Sequence, residues 1–180
     1  LGLIEALLPA KAGGLGGEGL DFMLVFELLG KHLVNAPFLS TAILGAMPLW
    51  LEDTQKYSVL LADVGAGKSR LALAISEAES RYDVHYADTT ATLIEGGRYQ
   101  LSGHKAVVLG ASDASHLVVS AKMEGGGADI GLFLVDGSAE GLKLRSYQTI
   151  DAQLAADIWL DNVSASYITE KGGAILSQTA

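Results

Sequence analysis

Apolar residues recur every three or four positions through the first 65 residues of the chain and every second position after that. The first regime predicts helices. Leu3 to Leu8 form a short one, ended by Pro9 and the loop Gly13-Gly-Leu-Gly-Gly17. Asp21 is expected to cap the next, in which Phe22, Val25, Phe26, Leu29 and Leu33 share a face, Glu27 and Lys31 pair one turn apart, and Pro37 stops the element after Asn35. His32, at the edge of that face, reads as structural. A further helix starts at Ser40 and carries Ile43, Leu44, Met47 and Leu51, with Pro48 bending or ending it. Residues 53–62 read as a shorter helix.

The second regime predicts strands. In Leu71-Ala-Leu-Ala-Ile-Ser-Glu77 the odd positions are branched and the even ones small, so one face has bulk and the other little more than methyls and the Ser76 hydroxyl. Such a sparse face suits close packing against an alanine-rich helix or, as the later segments favour, lies open, with room for a flat ring and main-chain groups free to bond its polar edge. Thr89–Ile94, Glu95-Gly-Gly97 and Arg98–Leu101 read as a hairpin. Lys105–Leu109, His116–Ala121, Ile130–Val135, Leu142–Tyr147 and Ala155–Leu160 are further strands, separated by turns such as Glu124-Gly-Gly-Gly127 and Asp136-Gly137. Strands at roughly ten-residue spacing indicate a barrel or sandwich. The fold class expected is α+β: a short N-terminal helical layer (residues 1–66), then a small antiparallel β-barrel or sandwich domain (67–166), then a tail (167–180) without a clear pattern.

Composition narrows the function. Among 180 residues 49% are apolar and 18% charged, which excludes disorder. A net charge of −9 argues against nucleic acid and against anionic membranes as partners. There is no cysteine, hence no disulfide scaffold, thiolate metal site or cysteine nucleophile, in keeping with a cytoplasmic protein. No apolar run is long enough to span a bilayer, no metal site is expected, and no signal peptide is evident. The first and last residues read as those of a trimmed piece. Gly65-Ala-Gly-Lys-Ser69, with the later run Gly131-Leu-Phe-Leu-Val-Asp136, imitates a nucleotide-binding P-loop and its metal-holding strand. Against that alternative, Ala62 stands where the loop's first glycine belongs, and the residues after Ser69 alternate with a period of two.

Taken in order, these segments resemble the N-terminal and middle portions of the acyl-CoA dehydrogenases. Glu27-Leu-Leu-Gly-Lys31, Ala36-Pro-Phe38 and Leu39-Ser-Thr-Ala-Ile-Leu-Gly45 are similar to that family's second helical unit and acyl-facing helix. Gln55 to Gly67 resembles its helix-to-barrel connection. Residues 71–77 stand for its ALTEP motif, Tyr99-Gln-Leu-Ser-Gly-His-Lys105 for Y.LNG.K, Gly131–Asp136 for the LFLV strand, and Asp151–Val163 for its closing strand. Ser80-Arg-Tyr-Asp83 resembles the ARYD of small subunits in heteromeric dehydrogenases acting on dicarboxyl- or steroid-chain CoA thioesters, the pimeloyl-CoA type included.

The resemblance implies FAD lying against the barrel, contacted by Leu73, Ile75 and Ser76, with Val107 and Leu109 flanking the ring where the family carries an aromatic residue and a threonine. It also implies an acyl-CoA thioester near Ser80, Arg81, Tyr82 and Leu44. Oxidation would remove a proton α to the thioester and pass a β-hydride to the flavin. The family's base, a glutamate, comes from a C-terminal helical domain, so this chain is expected to hold no catalytic residue and to be inactive alone. Glu77, Glu79, Asp83 and Asp88 read as turn and surface acids. The partners implied are an electron-transfer flavoprotein or similar acceptor and further copies or subunits in a homo- or hetero-oligomer. The alternative from another class is a non-catalytic structural subunit of a heteromeric dehydrogenase, a reading that the residues at 107 and 109 favour.

Overall fold

The computed structural model describes residues 2–125 and 130–179. The glycine run at 126–127, expected as a turn, lies outside the described residues. The helical regime forms α1 (Leu3–Leu7), α2 (Gly19–Lys31), a π-helical segment (Phe38–Gly45), α3 (Met47–Asp53) and α4 (Ser58–Gly65). Three details differ from expectation. Glu18, not Asp21, is the N-cap of α2, and Asp21 closes a capping box by accepting the Glu18 N–H at 2.9 Å. The expected helix from Ser40 is a wider π-turn closed by Ala46 N–H donating to Thr41 O at 3.0 Å. Pro48 therefore neither bends nor ends a helix. It sits in the first turn of α3, where its missing N–H has no intrahelical partner to lose.

The second regime forms β1 (Leu71–Ala74), β2 (Thr90–Leu93), β3 (Tyr99–Leu109), β4 (His116–Met123), β5 (Ile130–Asp136), β6 (Leu142–Gln148) and β7 (Leu154–Thr169). Arg98–Leu101 and Lys105–Leu109, expected as separate strands, are two parts of β3, which stays continuous by absorbing irregularities between Leu101 and Gly103 and between Lys105 and Val108. The last expected strand extends to Thr169, and helix α5 (Gly172–Thr179) follows it. β4 pairs with β2 and β5, β2 with β3, β3 with β7, and β7 with β5, so the sheet closes on itself. β6 adds to β7, and β1 adds to β4. Most pairs are antiparallel, but β1–β4 and β2–β4 are parallel, so the barrel is mixed.

Period-two alternation divides the core in two. Leu71, Leu73, Val118 and Leu132 face the helical layer, where they meet Leu49, Leu61, Val64 and, from α5, Ile175 and Leu176. Ala72, Ala74, Leu117, Val119, Phe133 and Val135 face the barrel interior with Leu101 and Ile158. Strands β1, β4 and β5 are thus covered on both sides, which is why they read as nearly continuous apolar runs. Gly45 is required at the seam between the layers, because a Cβ there would come within 2.5 Å of the Leu71 Cβ.

The P-loop imitation is a helix end. Residues 65–69 link α4 to β1, the reverse of the strand–loop–helix order that a phosphate cradle needs, and Lys68 points to solvent 3.9 Å from Asp63.

Candidate functional site

Where β1 ends, its neighbour across the backbone is β3: the Ala106 N–H donates to Ser76 O at 2.8 Å. This contact brings Ser76, an exposed residue, beside Val107. Val107 sits at the irregularity in β3 with φ of 53°, a left-handed conformation that a β-branched residue adopts only under constraint. The constraint is Asp157 on β7, whose carboxylate accepts the Val107 N–H at 3.2 Å, the Tyr147 hydroxyl at 2.9 Å and the Arg145 guanidinium at 2.6 Å. Burial opposes ionisation of Asp157, but these three donors outweigh it and hold its carboxyl below the usual range. The result is a valine side chain 55% exposed on the outer face of the barrel. Leu109, farther along β3, is half-buried.

Beneath Ser76 lies a buried ion pair. The Lys105 ammonium, fully buried inside the barrel, donates to Glu77 Oε1 at 2.7 Å and to the Ser120 hydroxyl at 2.9 Å, and lies 3.5 Å from Ile75 O. The Glu77 carboxylate also accepts the Thr89 hydroxyl at 2.7 Å and the backbone N–H groups of Thr89 and Asp88 at 3.1 and 2.6 Å. Desolvation works against the Glu77 charge, yet Lys105 and the hydrogen bonds hold the carboxyl below its ordinary value. Desolvation dominates for Lys105 and brings its ammonium down to about 8. Glu77 is therefore no surface acid, contrary to the sequence-based expectation, and four donors leave it unsuited to act as a free base.

Between Glu77 and Asp88 the chain makes a loop closed on itself. The Ser80 hydroxyl donates to Glu77 O at 2.9 Å, and Asp83 Oδ1 accepts the His85 N–H at 2.9 Å. Arg81 and Tyr82 occupy consecutive left-handed positions, with φ of 44° and 72°, and Tyr82 is entirely exposed.

The candidate residues thus fall into three groups. Val107 and Leu109 share the outer side of β3, and the Ala106 hydrogen bond brings the exposed Ser76 peptide next to them. Arg81 and Tyr82 project from the loop, while the Ser80 hydroxyl is spent within it. Leu73 is buried in the helical core, and Ile75 and Leu44 pack partly against it, so Leu73 and Ile75 offer a ligand at that face chiefly their backbone. The open sparse face expected of residues 71–77 does not exist along β1. Ala72 and Ala74 are buried within the barrel, where the bulk of Leu101, Phe133 and Ile158 leaves a methyl sufficient to complete the packing, and only at Ser76 does the small side reach solvent. Sequence reasoning missed Lys105 and Asp157 as site-forming groups. Both carried a signal: Lys105 shares parity with the inward-facing Leu101, and Asp157 interrupts an apolar strand next to alanine and isoleucine.

Among the described residues no cluster of metal-ligating side chains occurs, and no helix is long and apolar enough to cross a membrane.

A helical layer packed on a closed mixed barrel, with exposed residues where β1 ends against β3, defines a class of two-layer proteins. Residues 72–163 match the family model described as acyl-CoA dehydrogenase, middle domain. The chain belongs to the acyl-CoA dehydrogenase family. A probable acyl-CoA dehydrogenase of Bacillus subtilis is 30% identical over 131 residues, covering 69% of this chain and 22% of that protein. A second from the same organism, YngJ, is 26% identical over 152 residues, 81% of this chain and 40% of its own length. Among solved structures, a steroid ACAD variant is 34% identical with a TM-score of 0.83, covering 99% of this chain and 47% of that one. Butyryl-CoA dehydrogenase from Megasphaera elsdenii shares the fold at 23% identity, TM-score 0.86, with 99% of this chain and 51% of that chain covered. The chain spans between 22% and 40% of the length of these curated relatives.

Proposed function

We propose that this chain forms one wall of the flavin and acyl-CoA site of an acyl-CoA dehydrogenase, with the proton-abstracting base supplied from outside it. The observation that carries this reading is that two exposed residues, Ser76 and Val107, are brought next to each other by the backbone hydrogen bond from Ala106 N–H to Ser76 O. These residues fit a flat ring with a polar rim. Val107 offers apolar area held forward by Asp157, Leu109 extends that surface, and Ser76 supplies a donor or acceptor to the rim. FAD, when bound, supplies the acceptor for hydride. The chain's own part is to bind and orient: Arg81 presents a fixed cation suited to a phosphate or carboxylate of the thioester, and the Tyr82 ring offers stacking area. Among the described acids near this face, Glu77 is fully occupied by its donors. That favours a base from another segment or subunit, with a flavoprotein of the electron-transferring kind or a similar acceptor downstream.

The second reading, a structural subunit that keeps the fold and lends it to an active partner, is favoured by one observation: Leu109 has no side-chain group to hydrogen-bond a flavin. It draws weight too from the resemblance of Ser80–Asp83 to heteromeric small subunits.

The test is flavin retention. Ser76→Ala is expected to weaken FAD binding several-fold while leaving the unfolding curve unchanged, as fits the loss of one hydrogen bond of about 1 kcal/mol at an exposed site. Unaltered retention in that variant places the pocket elsewhere.

A further inference from the structure

The buried Lys105–Glu77 pair has no role in the chemistry outlined above, and burying two charges is costly unless they do something that apolar residues cannot. What they do is visible in the partners. One carboxylate reaches both ends of the loop at 78–88: Glu77 opens the loop, and its oxygens accept the N–H groups of Asp88 and Thr89, which close it. Lys105 neutralises that carboxylate from inside the barrel and links it to β4 through Ser120 and to the end of β1 through Ile75 O. Gly103 lets the closing end approach, since a Cβ there would meet Thr89 Oγ1 at 2.5 Å and Thr89 Cα at 2.7 Å. The loop so closed carries two successive left-handed residues without glycine, a strained arrangement that persists only where surrounding structure imposes it.

We propose that Lys105 and Glu77 are positioning residues. Their ion pair staples the loop at 78–88 and the Ser76 peptide to β3, and so fixes where Arg81 and Tyr82 stand relative to Ser76 and Val107. Neither residue touches the ligand. The inference rests on the ligand-binding face proposed above, and its test reads the loop separately from the ligand.

The experiment is residue-resolved amide hydrogen exchange on the chain without cofactor, followed by FAD titration. Lys105→Met strands the Glu77 charge, which turns to solvent and releases its donors. The Asp88 and Thr89 amides are expected to exchange about tenfold faster, relative to Val119 in β4, as fits the loss of a charge-assisted hydrogen bond. A merely structural role moves loop and core amides together, and that result, or no change, overturns the proposal. The double variant Glu77→Gln with Lys105→Met strands no charge and keeps one amide oxygen, which can serve the Thr89 N–H as Oε1 does, while the amide NH2 takes the place of the Oε2 that accepts from Asp88. It is expected to restore exchange at Thr89 to within about threefold of the wild type, and a Thr89 amide as open as in the single variant refutes the staple. Should Lys105→Met not fold, Thr89→Val removes one donor to the same carboxylate without stranding a charge. It is expected to speed Asp88 exchange about threefold with Val119 unmoved, and unchanged exchange overturns the proposal. In the titration, Lys105→Met with an opened loop and wild-type FAD affinity refutes the positioning role. A wild-type chain that binds no FAD refutes the flavin reading itself and is told apart by normal exchange.

Discussion

Val107 is the position at which stability and site geometry oppose each other. Its φ of 53° costs about 1–2 kcal/mol for a residue bearing a Cβ, and more than half of its side chain is in solvent, so little burial offsets that cost. Val107→Gly removes the strain and adds about 0.5–1 kcal/mol of unfolded-state entropy that folding must overcome. The Val107 N–H bond to Asp157 is a backbone contact and survives the change. The net expectation is a gain of about 0.5–1 kcal/mol, or about 1–3 °C in Tm for a domain of this size. Urea unfolding at constant slope measures it. FAD retention should fall in the same variant, because the apolar area set forward at that position is gone. A loss of stability greater than about 1 kcal/mol would show that Val107 makes burial contacts the exposed geometry denies, and the trade-off argument would fail.

Gly103→Ala should destabilise the protein by about 2–4 kcal/mol, since the added methyl meets the Thr89 backbone, and an effect below about 1 kcal/mol in chemical denaturation would show that the loop can move aside. Phe133→Ala empties the ring cluster in which Phe133 lies 5.0 Å from Tyr99 and 6.0 Å from Tyr167, at a cost of about 3–5 kcal/mol. Glu77 has a folded value below its unfolded one. Its stabilisation is therefore complete above the unfolded value of 4.5 and is lost as pH falls through the lowered folded value. Lys105 is protonated in both states across that window. Glu77→Gln should flatten the acid limb of a Tm-against-pH curve, and a limb as steep as the wild type's would assign acid unfolding to other groups. Lys68→Ala should change stability by less than about 0.5 kcal/mol and leave nucleotides unbound, as in the wild type, because Lys68 is a solvated turn residue.

Much of the fold was legible from spacing alone. The switch from helical to strand periodicity falls at the α4–β1 junction, and each expected strand overlaps an observed one. Two things were not legible. Strand direction is set by which edges meet in three dimensions, and nothing in the alternation of β1 distinguishes a parallel from an antiparallel neighbour. The width of the π-turn at Phe38–Gly45 also escaped, since its sequence is compatible with an ordinary helix, and the close approach of Gly45 to Leu71 is a tertiary contact that spacing does not reveal. At the candidate site, Ser76 and Val107 are placed together, whereas the alanines of β1 misled. A run of small residues signals little space as readily as it signals an open face, and here a barrel interior filled by larger neighbours explains them. α2 carries the same lesson in reverse: its apolar face predicts a buried helix, yet none of its residues is buried within this chain.

The central claim, that the Ser76–Val107 face is a flavin wall, is tested most directly by the absorbance spectrum of the purified protein after reconstitution with FAD and desalting. The account predicts a retained yellow flavin spectrum that Ser76→Ala diminishes. A colourless wild-type protein, releasing no flavin on denaturation, would contradict it and leave the structural-subunit reading in its place.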